Sequence, residues 1–88
     1  TKDTLRLEGT RVLLAEDTED SQFLIKHFLE KAGAVVEVAN NGQEAYDKAL
    51  AAVHDVILMD IQMPLMDGYM ATRQLRQKGY SRPILALT

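Results

Sequence analysis

The sequence predicts an α/β domain with a mostly parallel sheet covered by helices, and three observations carry that expectation. Four short apolar runs stand out at Val12–Ala15, Val35–Ala39, Val56–Met59 and Ile84–Leu87. The stretches between them repeat their apolar residues at helical spacing. The connections are only a few residues long. Strict strand–helix alternation with short joints makes a parallel sheet with right-handed crossovers, because a parallel neighbour can be reached only by crossing a face.

The Val12, Val56 and Ile84 runs are almost uninterrupted, as suits strands covered on both faces. The Val35 run carries Glu37 and is expected at a sheet edge. The first helix is expected over Thr18–Ala32, with Leu24, Ile25, Phe28, Leu29 and Ala32 as the stripe facing the sheet. Thr18 suits the N-cap, Glu19 and Asp20 suit the positive end, and Gly33 supplies a left-handed stop. The second helix is expected over Gly42–Ala52, opened by a capping box of Asn41 and Glu44, with Ala45, Ala49 and Leu50 inward. The third runs from Asp67 to Lys78, with Ala71 and Leu75 inward and Gly79 closing it. Arg73, Arg76 and Lys78 fall toward its last turn, where cations complement the dipole. Pro83 stands at the mouth of the last strand. Residues 1–10 read as a leader with little structure, and 11–88 as the domain.

Eighty-eight residues make one small domain, and its 47% apolar and 26% charged content is ordinary for a globular chain. A net charge of −3 argues against nucleic-acid binding, which needs a concentrated basic surface. With no cysteine there is neither a disulfide framework nor a thiolate metal site. No apolar run approaches the roughly 20 residues of a membrane helix. A cytoplasmic location without membrane contact by this segment is the default expectation.

The chemistry gathers at strand ends. Ligands of open α/β sheets bind beyond the carboxyl ends of the strands, where strand order reverses. Glu16 and Asp17 directly follow the first run, and Asp60 directly follows the third. If those strands are neighbours, three carboxylates share one pocket. Two carboxylates 4 Å apart repel by roughly 4 kcal/mol at an effective dielectric of 20, and the usual remedies are a shared proton or a bound cation. Hard oxygen ligands with room for water suit Mg²⁺. Pro64 stiffens the following loop and Gly68 allows close approach, which would hold the Gln62 carbonyl beside the pocket. A plain strand-to-helix turn explains Pro64 and Gly68 equally well, and any one strand-end acid can be merely solvated.

With these residues in place, the stretch from Arg11 to Thr88 resembles the receiver domain of two-component response regulators. The resemblance is carried by Val12-Leu13-Leu14-Ala15-Glu16-Asp17, Asn41-Gly42-Gln43-Glu44-Ala45, Ile57-Leu58-Met59-Asp60-Ile61-Gln62-Met63-Pro64, Met66-Asp67-Gly68 and Ala86-Leu87-Thr88. It implies a flavodoxin-like three-layer sandwich with strand order 2-1-3-4. It also implies that Asp60 is the phosphoacceptor, that Glu16, Asp17, Asp60 and the Gln62 carbonyl hold Mg²⁺, and that Thr88 is the switch hydroxyl. The donor would be a phosphohistidine on a histidine kinase or histidine phosphotransfer domain. The Glu16-Asp17 pair and the run from Asp67 to Arg73 look most like receivers of hybrid sensor histidine kinases.

The family pattern continues with a helix, a fifth strand bearing a lysine, and a last helix, which these 88 residues do not include. From this follow two expectations: an exposed apolar edge at Ile84–Leu87 that self-associates or swaps segments, and, as the alternative function, a receiver-like fragment silent to phosphorylation. An aspartyl-phosphate phosphatase fits poorly, because Gln62 stands where such enzymes resemble a second aspartate. His27 and His54 belong to no metal or nucleophile pattern. Met59, Met63, Met66 and Met70 read as adaptable packing around the loop. Glu44 and Lys48 form a helix pair worth a few tenths of a kcal/mol, and Tyr46 and Tyr69 are as well explained by packing as by a partner.

Overall fold

The computed structural model describes residues 6–63 and 66–87. In chain order the elements are β1 (Arg11–Ala15), α1 (Glu19–Lys31), β2 (Val35–Ala39), α2 (Gly42–Ala51), β3 (Val56–Asp60), α3 (Gly68–Gln77) and β4 (Ile84–Leu87). All pairings are parallel and the sheet order is β2-β1-β3-β4, so Glu37 does lie on an edge strand. The order reverses between β1 and β3, which stand side by side in the register Leu13↔Ile57, Leu14↔Leu58, Ala15↔Met59.

Strand alternation divides the interior into two layers. Leu13, Ala15, Ile57 and Met59 point to one face, where Ala45 and Ala49 of α2 and Ala71 and Leu75 of α3 close over them. Val12 points to the other face with Leu29 of α1 and Ala34, and Ile25, Val36, Val56 and Leu58 lean on them half-buried. The small alanines on α2 and α3 let the helices approach the sheet closely, and burying the large strand residues contributes about 1.5–3 kcal/mol apiece.

The helix ends follow the sequence with local differences. Thr18 occupies the N-cap of α1 in extended conformation, but its side chain makes no capping bond. Gly33, at φ 105°, turns the chain out of α1, with its N–H on the Glu30 carbonyl and that of Ala34 on the Leu29 carbonyl. Asn41 Oδ1 caps α2 by accepting from the Glu44 N–H at 2.8 Å, while the Glu44 carboxylate reaches back one residue further than expected, to the Asn40 N–H at 3.0 Å. Asp67 caps α3 by accepting from the Met70 N–H at 2.9 Å. Arg76 does more than complement the dipole: its Nη1 donates to the carbonyls of Tyr80 and Arg82, tying the α3–β4 turn.

Three inward assignments are corrected. Leu24 and Phe28 are 65% and 60% exposed and Leu50 is 48% exposed, whereas Leu29 and Ile25 make the contact of α1. An apolar stripe on a helix can be wider than the sheet beneath it, and these residues sit on its flank. His54 is buried, 4% exposed, with Nε2 2.8 Å from Glu37 Oε1. Of the leader, residues 6–10 form a docked turn: the Leu7 N–H donates to the Ala32 carbonyl, the Thr10 carbonyl accepts from Val35, and Leu7 packs on the α1 layer. Pro64 and Thr88 lie outside the described residues.

Candidate metal and phosphoacceptor site

The register that pairs Ala15 with Met59 sets the next two residues, Glu16 and Asp60, beside each other at the carboxyl end of the sheet. Glu16 continues the ladder by one bond, its N–H donating to the Ala39 carbonyl at 3.0 Å. Asp17 follows at the rim. A carboxylate oxygen from each of Glu16, Asp17 and Asp60 lies within 4.8 Å of the others, the convergence expected from the strand ends. Glu16 is buried, Asp60 half-buried and Asp17 exposed, so the cluster is walled on one side and open on the other.

The three charges have little to balance them. Among the described residues no ion pair reaches any of the three. Burial pushes the Glu16 carboxyl above its ordinary value; the Thr18 N–H on its Oε2, at 3.2 Å, pulls the other way, and the charges of Asp60 and Asp17 push up again. A carboxyl raised by burial and by like charges is a site that favours a proton or a cation. The donor set is all hard oxygen, with no nitrogen or sulfur ligand, and its open side leaves room for water and phosphate oxygens. That fits Mg²⁺ better than a softer transition metal.

The loop after Asp60 is held from several sides. Asp60 Oδ1 accepts from the Gln62 N–H at 3.0 Å, which folds the chain back over the acceptor. Met63 is buried in the larger layer and Met66 packs against it, so the methionines anchor the loop, although Met70 is half exposed. The backbone of Asp60 and Ile61 passes so close to Gly68 that a Cβ there would overlap the Asp60 carbonyl. Gly42, at the start of α2, faces the Met66 carbonyl in the same way. These two approaches explain why glycine follows a capping side chain at both helix starts. Tyr46 packs on the larger layer, and Tyr69 is exposed.

Two polar residues beside the site went unread in the sequence. Gln22 Nε2 donates to the Glu16 carbonyl at 2.5 Å and to Asn40 Oδ1 at 2.8 Å. Asn40 in turn donates through Nδ2 to Glu44. The doubled Asn40-Asn41 before α2 was the available signal, since one cap needs only one of them.

The fold and site have clear relatives. The family described as the response regulator receiver domain matches residues 12–88. A probable histidine kinase of Oryza sativa subsp. indica is 40% identical over an alignment that takes in 100% of this chain and 10% of that protein. The two-component response regulator ORR41 of Oryza sativa subsp. japonica is 44% identical, covering 89% of this chain and 65% of that protein. Among solved structures, the receiver domain of the Pseudomonas aeruginosa PAO1 sensor histidine kinase PA1611, described with a magnesium ion coordinated in its active-site cleft, superposes with a TM-score of 0.87 at 39% identity, covering 91% of this chain and 67% of that one. The chain thus spans a tenth of one relative and about two thirds of the others. A parallel sheet of order 2-1-3-4, an acid cluster at its reversal point and a match that begins inside the first strand lead to one conclusion: the chain belongs to the response regulator receiver domain family.

Proposed function

We propose that this domain takes a phosphoryl group from a phosphohistidine onto Asp60, in a reaction that depends on Mg²⁺ held by Glu16, Asp17, Asp60 and the Gln62 carbonyl. The observation that carries this reading is the convergence of three carboxylates within 4.8 Å at the point where strand order reverses. An Asp60 oxygen attacks phosphorus as the P–N bond breaks, and the bonding pair leaves with the imidazole nitrogen, which takes up a proton. Mg²⁺, when bound, neutralises charge on the phosphoryl oxygens. The chain's own part is positional. The Gln62 N–H holds one Asp60 oxygen, leaving the other free to attack, and Glu16 and Asp17 supply the remaining hard ligands. Thr88 is assigned the switch hydroxyl by family resemblance.

The partner is a histidine kinase or histidine phosphotransfer domain, and the module is a phosphoacceptor more than an enzyme in its own right. Among the described residues no helix is long and apolar enough to cross a membrane; the cytoplasmic location expected from the sequence belongs to this proposal.

Incubating the protein with Mg²⁺ and acetyl phosphate, with detection by intact mass, tests the assignment. Wild type is expected to gain one phosphoryl group, and neither Asp60→Asn nor wild type in EDTA is expected to gain any. Absence of the gain in wild type shown to bind Mg²⁺ would establish the silent fragment instead.

A further inference from the structure

Gln22 sits in the first turns of α1, outside the acid cluster, yet it binds the backbone that carries two of the acids. We infer that Gln22 is a positioning residue for the Mg²⁺ site, acting on Glu16 and Asp17 through the Glu16 carbonyl; this rests on the metal assignment above.

A hydrogen-bonded chain runs from Glu44 through Asn40 and Gln22 to the Glu16 carbonyl. The Glu44 carboxylate in its ionised form can only accept. Its Oε1 takes the Asn40 N–H at 3.0 Å and the Asn40 Nδ2 at 3.2 Å. The position of Glu44 is itself fixed, because its N–H is bound by Asn41 Oδ1 and Lys48 Nζ lies 3.8 Å from its Oε1. Asn40 therefore turns its Oδ1 toward Gln22, and Gln22 must present its amide NH₂, not its oxygen. Both hydrogens of that group are used, one on Asn40 Oδ1 and one on the Glu16 carbonyl. The polarity of two side chains, Asn40 and Gln22, is set by one carboxylate on α2, and the chain ends on the peptide joining Glu16 to Asp17.

That peptide is the place where control of direction matters. The Glu16 N–H is held by the Ala39 carbonyl and its carbonyl by Gln22, so the peptide planes on both sides of Glu16 are pinned. Asp17, exposed and at the rim, follows directly on that peptide, so its backbone direction is set by the peptide before it. Divalent-ion affinity depends on ligands that are already in place, and partners behind metal ligands typically matter by tenfold or more. Near-isosteric replacements that lack the amide donor do not serve there. Glutamate would face two acceptors with two more, and methionine fills the volume but donates nothing.

The test is a Mg²⁺ titration of wild type and Gln22→Met, followed by amide chemical shifts of the Asp17 and Asp60 region, with thermal melting in EDTA alongside. Gln22→Met is expected to raise the Mg²⁺ Kd about tenfold, to leave the shifts at saturation close to those of wild type, and to melt within a degree or two of it. An unchanged Kd overturns the inference while leaving the metal assignment standing. A wild type that binds no Mg²⁺ overturns both. A raised Kd accompanied by a large fall in melting temperature would mark a structural role and overturn the inference as well. Should Gln22→Met fail to fold, Asn40→Ala, which removes the far anchor, is expected to shift the Kd in the same direction by a smaller factor, and an unshifted Kd there counts against the inference.

Discussion

The two ends of the sheet treat acidic side chains in opposite ways. At the carboxyl end Glu16, Asp17 and Asp60 are packed together without a cation among the described residues. Toward the amino end two acids have partners: Glu37 of β2 meets the buried His54 at 2.8 Å, and Asp55 Oδ2 accepts from the Arg11 N–H at 2.8 Å. Similar groups thus consolidate the fold toward one end of the sheet and crowd one another at the other. Repulsion left in place by a folded domain is what makes this cluster the candidate ligand site of the molecule.

The largest effect that would sharpen this contrast is expected from Gly68→Ala. A methyl group there meets the Asp60 backbone, so the loop must shift, at a cost of about 3 kcal/mol, and the Mg²⁺ titration should weaken together with the melting temperature. His54→Ala should act on stability alone. Loss of a buried ring costs about 2 kcal/mol, read as a lower urea midpoint, while the Mg²⁺ Kd stays within about twofold of wild type, since the site is at the other end of β3. A large change in that Kd would break the division between the ends.

Glu16→Gln should do the reverse of His54→Ala. Relief of burial and repulsion is expected to stabilise the protein in EDTA by about 1 kcal/mol, a rise of roughly 4–8 °C for a domain of this size, while Mg²⁺ affinity falls at least tenfold. Lower stability in EDTA would show that the acids are not strained. The smallest effect is one of pH. Because the Glu16 carboxyl is raised in the folded state, folding takes up a proton as pH falls from 7 toward the ordinary value of 4.5, and the wild type gains stability over that window. Glu16→Gln has no such proton to take, so its advantage in EDTA should narrow steadily from pH 7 to pH 5. A gap independent of pH would remove Glu16 as the strained group.

Much of this molecule was legible in its residues, and the reasons differ by level. Strand and helix limits came within a residue because apolar period and caps are local properties: Asn41 and Asp67 announce their helices whatever surrounds them. Convergence of Glu16, Asp17 and Asp60 was legible only on the condition that the first and third strands are neighbours, the order the family resemblance implied, since residues just past adjacent parallel strands cannot avoid one another. Leu24, Phe28 and Leu50 were misplaced because periodicity gives the direction of a helical face but not the extent of what it covers. Gln22, Asn40, His54 and Glu37 stayed hidden for another reason. The Gln22–Asn40 and Glu37–His54 bonds join residues 18 and 17 positions apart, and nothing in a glutamine or a histidine names a partner at that distance.

The parallel register of β1 with β3 has a consequence for how such a chain can vary. Side chains alternate between faces, so adding or deleting one residue in either strand upstream of its acid would swing Glu16 or Asp60 to the opposite side of the sheet. Strand length is therefore frozen at these two places, whereas the turn around Gly9 and the approach to β3 at Val53 can change length without disturbing the acids. Variation in length among such chains should collect beneath the sheet and stop short of its top.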